Sequence, residues 1–159
     1  MLALVAAAAL GGVAVASANF VSTPPAAPTG QQVFFGHVKS LVRTGGRWQL
    51  RFDPAWFLSG VTASQAKFED TGSRDVPNDN YRVEEGHRLL LFLVSPKARI
   101  TVLANEAGKG IVSKPITVSQ LAAIVAGKSP LKLFEPLESG TWIRVRIDTI
   151  QELDQQYQP

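Results

Sequence analysis

The sequence predicts a small α+β domain, a mostly antiparallel, barrel-like sheet with short helices. Three observations carry this. VFFGHVKSLVR and RWQLRFD alternate on either side of a Gly45-Gly46 turn, which is the pattern of a β-hairpin. Residues 88–94 (RLLLFLV) form a continuous apolar run too short for a buried helix. Residues 142–147 (WIRVRI) alternate with period two. At 159 residues the chain is one domain's worth, and 45% hydrophobic with 18% charged residues is a globular composition.

The hairpin register can be argued from its charges. A two-residue Gly45-Gly46 loop would pair Arg43 with Trp48 and Lys39 with Phe52, mixing charge and apolar groups on one face. A three-residue loop starting at Thr44 pairs Val42 with Trp48, Ser40 with Leu50 and Val38 with Phe52, a nearly apolar face, and is preferred. It sets Arg43 against Arg47 and Lys39 against Arg51 on the other face, where like charges repel.

Asp53-Pro54 suits the start of a short helical turn, with Asp as cap and Pro at the first position. Thr62-x-x-Gln65 has the capping-box spacing and opens a second short helix to about Phe68. Residues 70–80 are loop by composition. Residues 88–94 read as a central strand covered on both faces and ended by Pro96, and residues 99–103 as a further strand. Thr117-x-x-Gln120 is another capping box, opening a helix that stops at Gly127. In residues 142–147, Ile143, Val145 and Ile147 face inward and Trp142, Arg144 and Arg146 outward. Residues 149–157 admit two readings, a helix on the spacing of Ile150, Leu153 and Tyr157, or a strand turning back at Asp148-Thr149. Five strands with a helix between the fourth and fifth are OB-like, although an OB-type barrel places its helix one strand earlier.

Residues 2–18 carry no charge and end in Ala16-Ser17-Ala18, the small-x-small pattern of a signal peptidase site. The run lacks the usual basic start, so a retained anchor is the alternative to a cleaved export signal. The domain plan is therefore a signal peptide over 1–18, a flexible Pro-containing leader over 19–32, and one globular domain over 33–159. The absence of cysteine excludes a disulfide scaffold, a thiol nucleophile and a Cys-ligated metal, and two histidines exclude a three-His centre. The net charge of +3 favours anionic partners without reaching a nucleic-acid signature.

The segments FDPAWFLSG (52–60), VPNDNY (76–81) and LDQQYQP (153–159), with an export signal and a strand ending WIRVRID, resemble a family of uncharacterised exported proteins of high-GC Gram-positive bacteria. The resemblance implies export and a single domain. The family has no assigned activity, so no site residue is carried over.

No catalytic constellation stands out. His37 falls on the outward face of the first strand and His87 in a turn, both read as exposed and structural, and there is no G-x-S-x-G elbow. Asp75, Asn78, Asp79 and Asn80, with Glu84 and Glu85, match no calcium loop and read as a polar turn. Gly108-Lys109-Gly110 lacks the rest of a phosphate loop and reads as a turn. No metal or other cofactor is expected. The best candidate is a basic face: Lys39, Arg43, Arg47 and Arg51 on the hairpin, and Arg144, Arg146 and Trp142 on another strand. Guanidinium forks match carboxylates and phosphates, and an exposed Trp suits sugar rings or cations. The sequence thus points to a secreted or cell-envelope interaction domain, non-enzymatic, binding an anionic wall polymer or an envelope protein. The alternative is a small exported hydrolase acting on cell-wall material. Export argues against nucleic acid, and the membrane is expected to be reached only through an uncleaved residue 1–18 segment.

Overall fold

In the computed structural model, which describes residues 26–86 and 89–158, Gly45 and Gly46 take φ of 57° and 80°. Two positive values in a row make a two-residue turn whose twist matches the flanking strands. It joins β1 (Gln32–Thr44) to β2 (Arg47–Ser59). Near the turn the pairs are Thr44 with Arg47, Arg43 with Trp48 and Leu41 with Leu50, so the three-residue loop is not formed. The register then shifts between Val38 and Ser40, and Val38 pairs with Phe52 as expected. The bulge at Lys39 reconciles both registers: the tight turn is kept and the apolar face is restored. It also removes the two like-charge oppositions. Arg43 lies across from Trp48, its guanidinium 5.8 Å from the ring centroid, and Lys39 pairs with Asp53 at 3.0 Å.

β2 runs straight through Asp53-Pro54, so the helical turn expected there is absent. Its first half pairs with β4 (Leu90–Glu106) from Trp48 to Phe52, and its second half pairs with β3 (Asn80–Glu84) from Ala55 to Ser59. Pro54 falls between those two ladders, where its missing N–H interrupts neither. At the same crossing a Cβ on Gly36 would stand 2.1 Å from the Asp53 carbonyl oxygen, so only glycine lets the strands approach.

The helix after β2 forms, but earlier than its capping box suggested. α1 (Gly60–Thr71) starts after Ser59, and the Gly60 N–H donates to Asp79 Oδ1 at 3.0 Å. A short 3-10 turn (Pro77–Asp79) and β3 replace the end of the expected loop.

β4 is a single strand of 17 residues that absorbs both expected segments and passes through Pro96. The proline is tolerated because the register against β7 (Thr149–Gln155) shifts between Val94 and Arg99. Nor is the start of β4 covered on both faces: Phe92 and Val94 are buried, but Leu91 is 58% exposed. The turn at Gly108-Lys109-Gly110 leads into β5 (Gly110–Ile116), which pairs back along β4. α2 (Val118–Val125) opens on the expected capping box, Thr117 accepting from the Gln120 N–H while the Gln120 side chain accepts from the Thr117 N–H. It buries Val118 and Leu121 in the core.

β6 (Thr141–Arg146) and β7 form the last hairpin, so the tail takes the strand reading. β1, β2, β4, β7 and β6 close on one another as a five-stranded barrel, in which the β4–β7 pair is parallel and the rest antiparallel. Because β4 is one strand, α2 falls between the third and fourth barrel strands, the OB-type position. Leu50, Phe52, Ile100, Ile143, Ile150 and Leu153, each 1% exposed or less, fill the interior.

Candidate functional site

The seven basic-face residues separate into two groups. Arg144 and Trp142 alternate outward on β6 as expected, but that part of the outer face is covered. Trp142 is 6% exposed, packed against Phe35 at 5.0 Å and Phe57 at 5.8 Å between ring centroids. Its indole N–H donates to Gln156 Oε1 at 2.7 Å. The sheet is apolar on both faces here, so Trp142 is a core residue and not an exposed platform. Ile147, expected inward, is 86% exposed at the hairpin tip.

Arg144 pairs with Glu152, which also accepts from Arg99 at 2.9 Å. The Arg99 hydrogen bond and the charges of Arg99 and Arg144 hold the Glu152 carboxyl below its ordinary value, against the upward pull of burial. A carboxylate stabilised in this way supports the fold above its unfolded-state pKa and loses that support as pH falls through the lower, folded value. Acid unfolding below about pH 4.5 is therefore expected to be less steep in Glu152→Gln, which also melts lower than the parent at pH 7. Equal acid limbs in thermal melts at pH 3 and pH 7 would contradict this.

Lys39 likewise faces Asp53 in a polar cleft of about 380 Å³ that also takes in His37, Arg82, Glu84 and Glu138. His37 is not exposed: it is 4% accessible. Its Nδ1 donates to the Glu138 carbonyl at 2.8 Å, and its Nε2 faces both Glu84 oxygens at 3.1 and 3.2 Å. Arg82 Nε meets the same carboxylate at 2.8 Å. With both ring nitrogens engaged by the protein, His37 clips β1 to β3 and to the turn before β6, and offers a substrate no base. His87 lies outside the described residues. Among the described residues no group of three His, Asp or Glu side chains is placed to share a metal ion, and Asp79 serves the start of α1.

Arg43, Arg47, Arg51 and Arg146 behave differently. Among the described residues none of the four has a carboxylate partner. Cross-strand pairing brings three of them onto one outer face. Val42, Gln49, Leu93, Thr149 and Arg146 form one row across β1, β2, β4, β7 and β6, and Ser40, Arg51 and Leu91 form a neighbouring row. Arg47 precedes Gln49 by two residues and shares its side. Arg43, on the opposite side of β1, reaches the same end of the barrel beside Trp48. There Arg43, Arg47, Trp48, Leu93, Pro96 and Thr149 line a cleft of about 320 Å³. The face is bounded by the Gly45-Gly46 turn and the Ile147-Asp148 turn. Strand β1 spans roughly 20 Å between Val33, opposite Arg144, and Ser40, opposite Arg51, so of the β6 residues Arg146 reaches the hairpin arginines and Arg144 does not. The aromatic side chain beside the free arginines is thus Trp48 and not Trp142. The tight-turn register, which puts Arg43 opposite Trp48, carried the signal for it.

The chain matches no family model, no curated protein and no solved structure. No helix among the described residues is long and apolar enough to cross a membrane.

Proposed function

We propose that the protein is a non-enzymatic interaction domain of the cell envelope that binds an anionic partner through the outer face that runs from β2 across β4 to the β6–β7 hairpin. The observation that carries this reading is the gathering of Arg47, Arg51 and Arg146, without carboxylate partners, on that face, with Arg43 and Trp48 at its edge. Elsewhere on the barrel Lys39, Arg82, Arg99 and Arg144 are neutralised by neighbours, and lysines such as Lys97 and Lys114 also lack a carboxylate partner among the described residues; what distinguishes this face is that its unpaired cations are guanidinium groups. Guanidinium forks suit phosphate and carboxylate groups. The strand 2–3 face of an OB-type barrel, flanked by its first and last hairpin loops, is also where such barrels bind extended polymers. A hydrolase reading has less support, because both His37 ring nitrogens are engaged by protein groups.

Arg47→Glu with Arg51→Glu is expected to weaken cosedimentation with purified cell wall by at least about tenfold at low salt, at roughly 1 kcal/mol per cation near a charged surface. Binding of the parent should fall steeply as salt rises. Because both side chains are exposed, the variant should melt at the parent temperature. Unchanged wall binding by the double variant would refute the assignment of the face.

A further inference from the structure

The hairpin tip between β6 and β7 carries an unusual residue. Ile147 and Asp148 have φ of 45° and 58°, the two positive values of a tight hairpin turn. Asparagine, aspartate or glycine fits such a position, whereas a β-branched side chain is a strained occupant. Burial does not compensate, since Ile147 is 86% exposed. Two aliphatic side chains on the outer face beside this turn are also exposed, Leu91 at 58% and, farther along the row, Val42 at 52%. Three exposed aliphatic side chains are therefore interleaved with Arg47, Arg51 and Arg146.

Charge alone would serve a soluble polyanion, which has no use for an isoleucine held out in a strained turn. An anionic bilayer uses both components. Its phosphates take the guanidinium groups, and its interfacial zone takes aliphatic side chains out of water. We propose that this face docks on an anionic phospholipid surface, with Ile147 and Leu91 entering the boundary below the head groups and Arg47, Arg51 and Arg146 holding the phosphates. This rests on the anion-binding reading of the face and names the partner. It places membrane contact on the barrel itself, beyond any contact made through residues 1–18.

The barrel, its core and the whole patch lie within residues 26–158, so the chain from Asn19 onward is the unit to test. Flotation with phosphatidylglycerol-containing vesicles is compared with phosphatidylcholine vesicles and with soluble polyphosphate. The wild type should float with the anionic vesicles alone. Ile147→Asn and Leu91→Ser should each lower vesicle affinity by about tenfold, the effect of withdrawing one aliphatic side chain from an apolar environment. Both should leave polyphosphate binding unchanged, and Ile147→Asn should raise the Tm because it relieves the turn. Full vesicle binding by the Ile147→Asn, Leu91→Ser double variant would overturn the proposal. So would a wild type that binds polyphosphate but ignores anionic vesicles, an outcome that leaves the anion-binding face standing. Failure to bind either probe would overturn both.

Discussion

Phe92→Asp is expected to yield no cooperatively folding protein, while Leu91→Asp, one residue earlier on β4, keeps the fold. Phe92 is 8% exposed inside the barrel, its ring 5.7 Å from Phe34 and 6.3 Å from Phe52 between centroids. The described residues packed around it are apolar, so a carboxylate there is buried without a partner among them. That costs several kcal/mol, comparable to the whole stability of a domain of this size. Leu91 points the other way, 58% exposed beside Arg51, where an aspartate stays hydrated and gains a nearby cation. Circular dichroism and thermal melts separate the two. Two unfolded variants would mean that β4 is covered on both faces, and two folded ones that the barrel interior lies elsewhere.

Trp142→Ala is expected to destabilise the protein by about 3–5 kcal/mol, the range for truncating a buried large aromatic. The loss has two sources. The ring packs with Phe35 and Phe57 in a second apolar cluster on the outside of the barrel, together with Ala55. Its N–H also satisfies Gln156, which is 2% exposed and would be left short of a donor. Trp142→Phe keeps much of the packing and should recover part of the loss. Urea titration measures both. A change below about 1 kcal/mol for the alanine variant would restore Trp142 to an exposed role.

Period-two alternation assigned the sides of β6 correctly as far as its turn: Ile143 and Val145 do face in and Trp142 does face out, while Ile147 leaves the pattern at the turn. What alternation does not report is whether the outer side meets water. Phe35 and Phe57 share that side with Trp142, and three aromatics on one outer face were the available signal. The hairpin was misread near its turn because a uniform ladder cannot satisfy both the Gly-Gly turn and the Val38–Phe52 pair; one extra residue at Lys39 does. Prolines misled twice. Pro54 and Pro96 mark places where a strand changes partners or slips register, so a missing N–H is harmless there. Reading β4 as two strands then moved α2 one place along the barrel order. The capping box at Thr117 was legible because every group it uses lies within one turn of chain. The unpaired arginines were visible only as arginines. Which of them a carboxylate neutralises depends on contacts such as Arg144 with Glu152, made across the sheet between residues that no local pattern connects.

The anion-binding face is tested most directly by an amide-resolved NMR titration of the chain from Asn19 onward with short polyphosphate. Shift changes are expected to concentrate at Arg47, Gln49, Arg51, Leu93, Arg146 and Thr149, with the Gly45-Gly46 and Ile147-Asp148 turns, and to collapse at high salt. Changes centred instead on the His37–Glu84 cleft or on the Arg144–Glu152–Arg99 group would contradict the account.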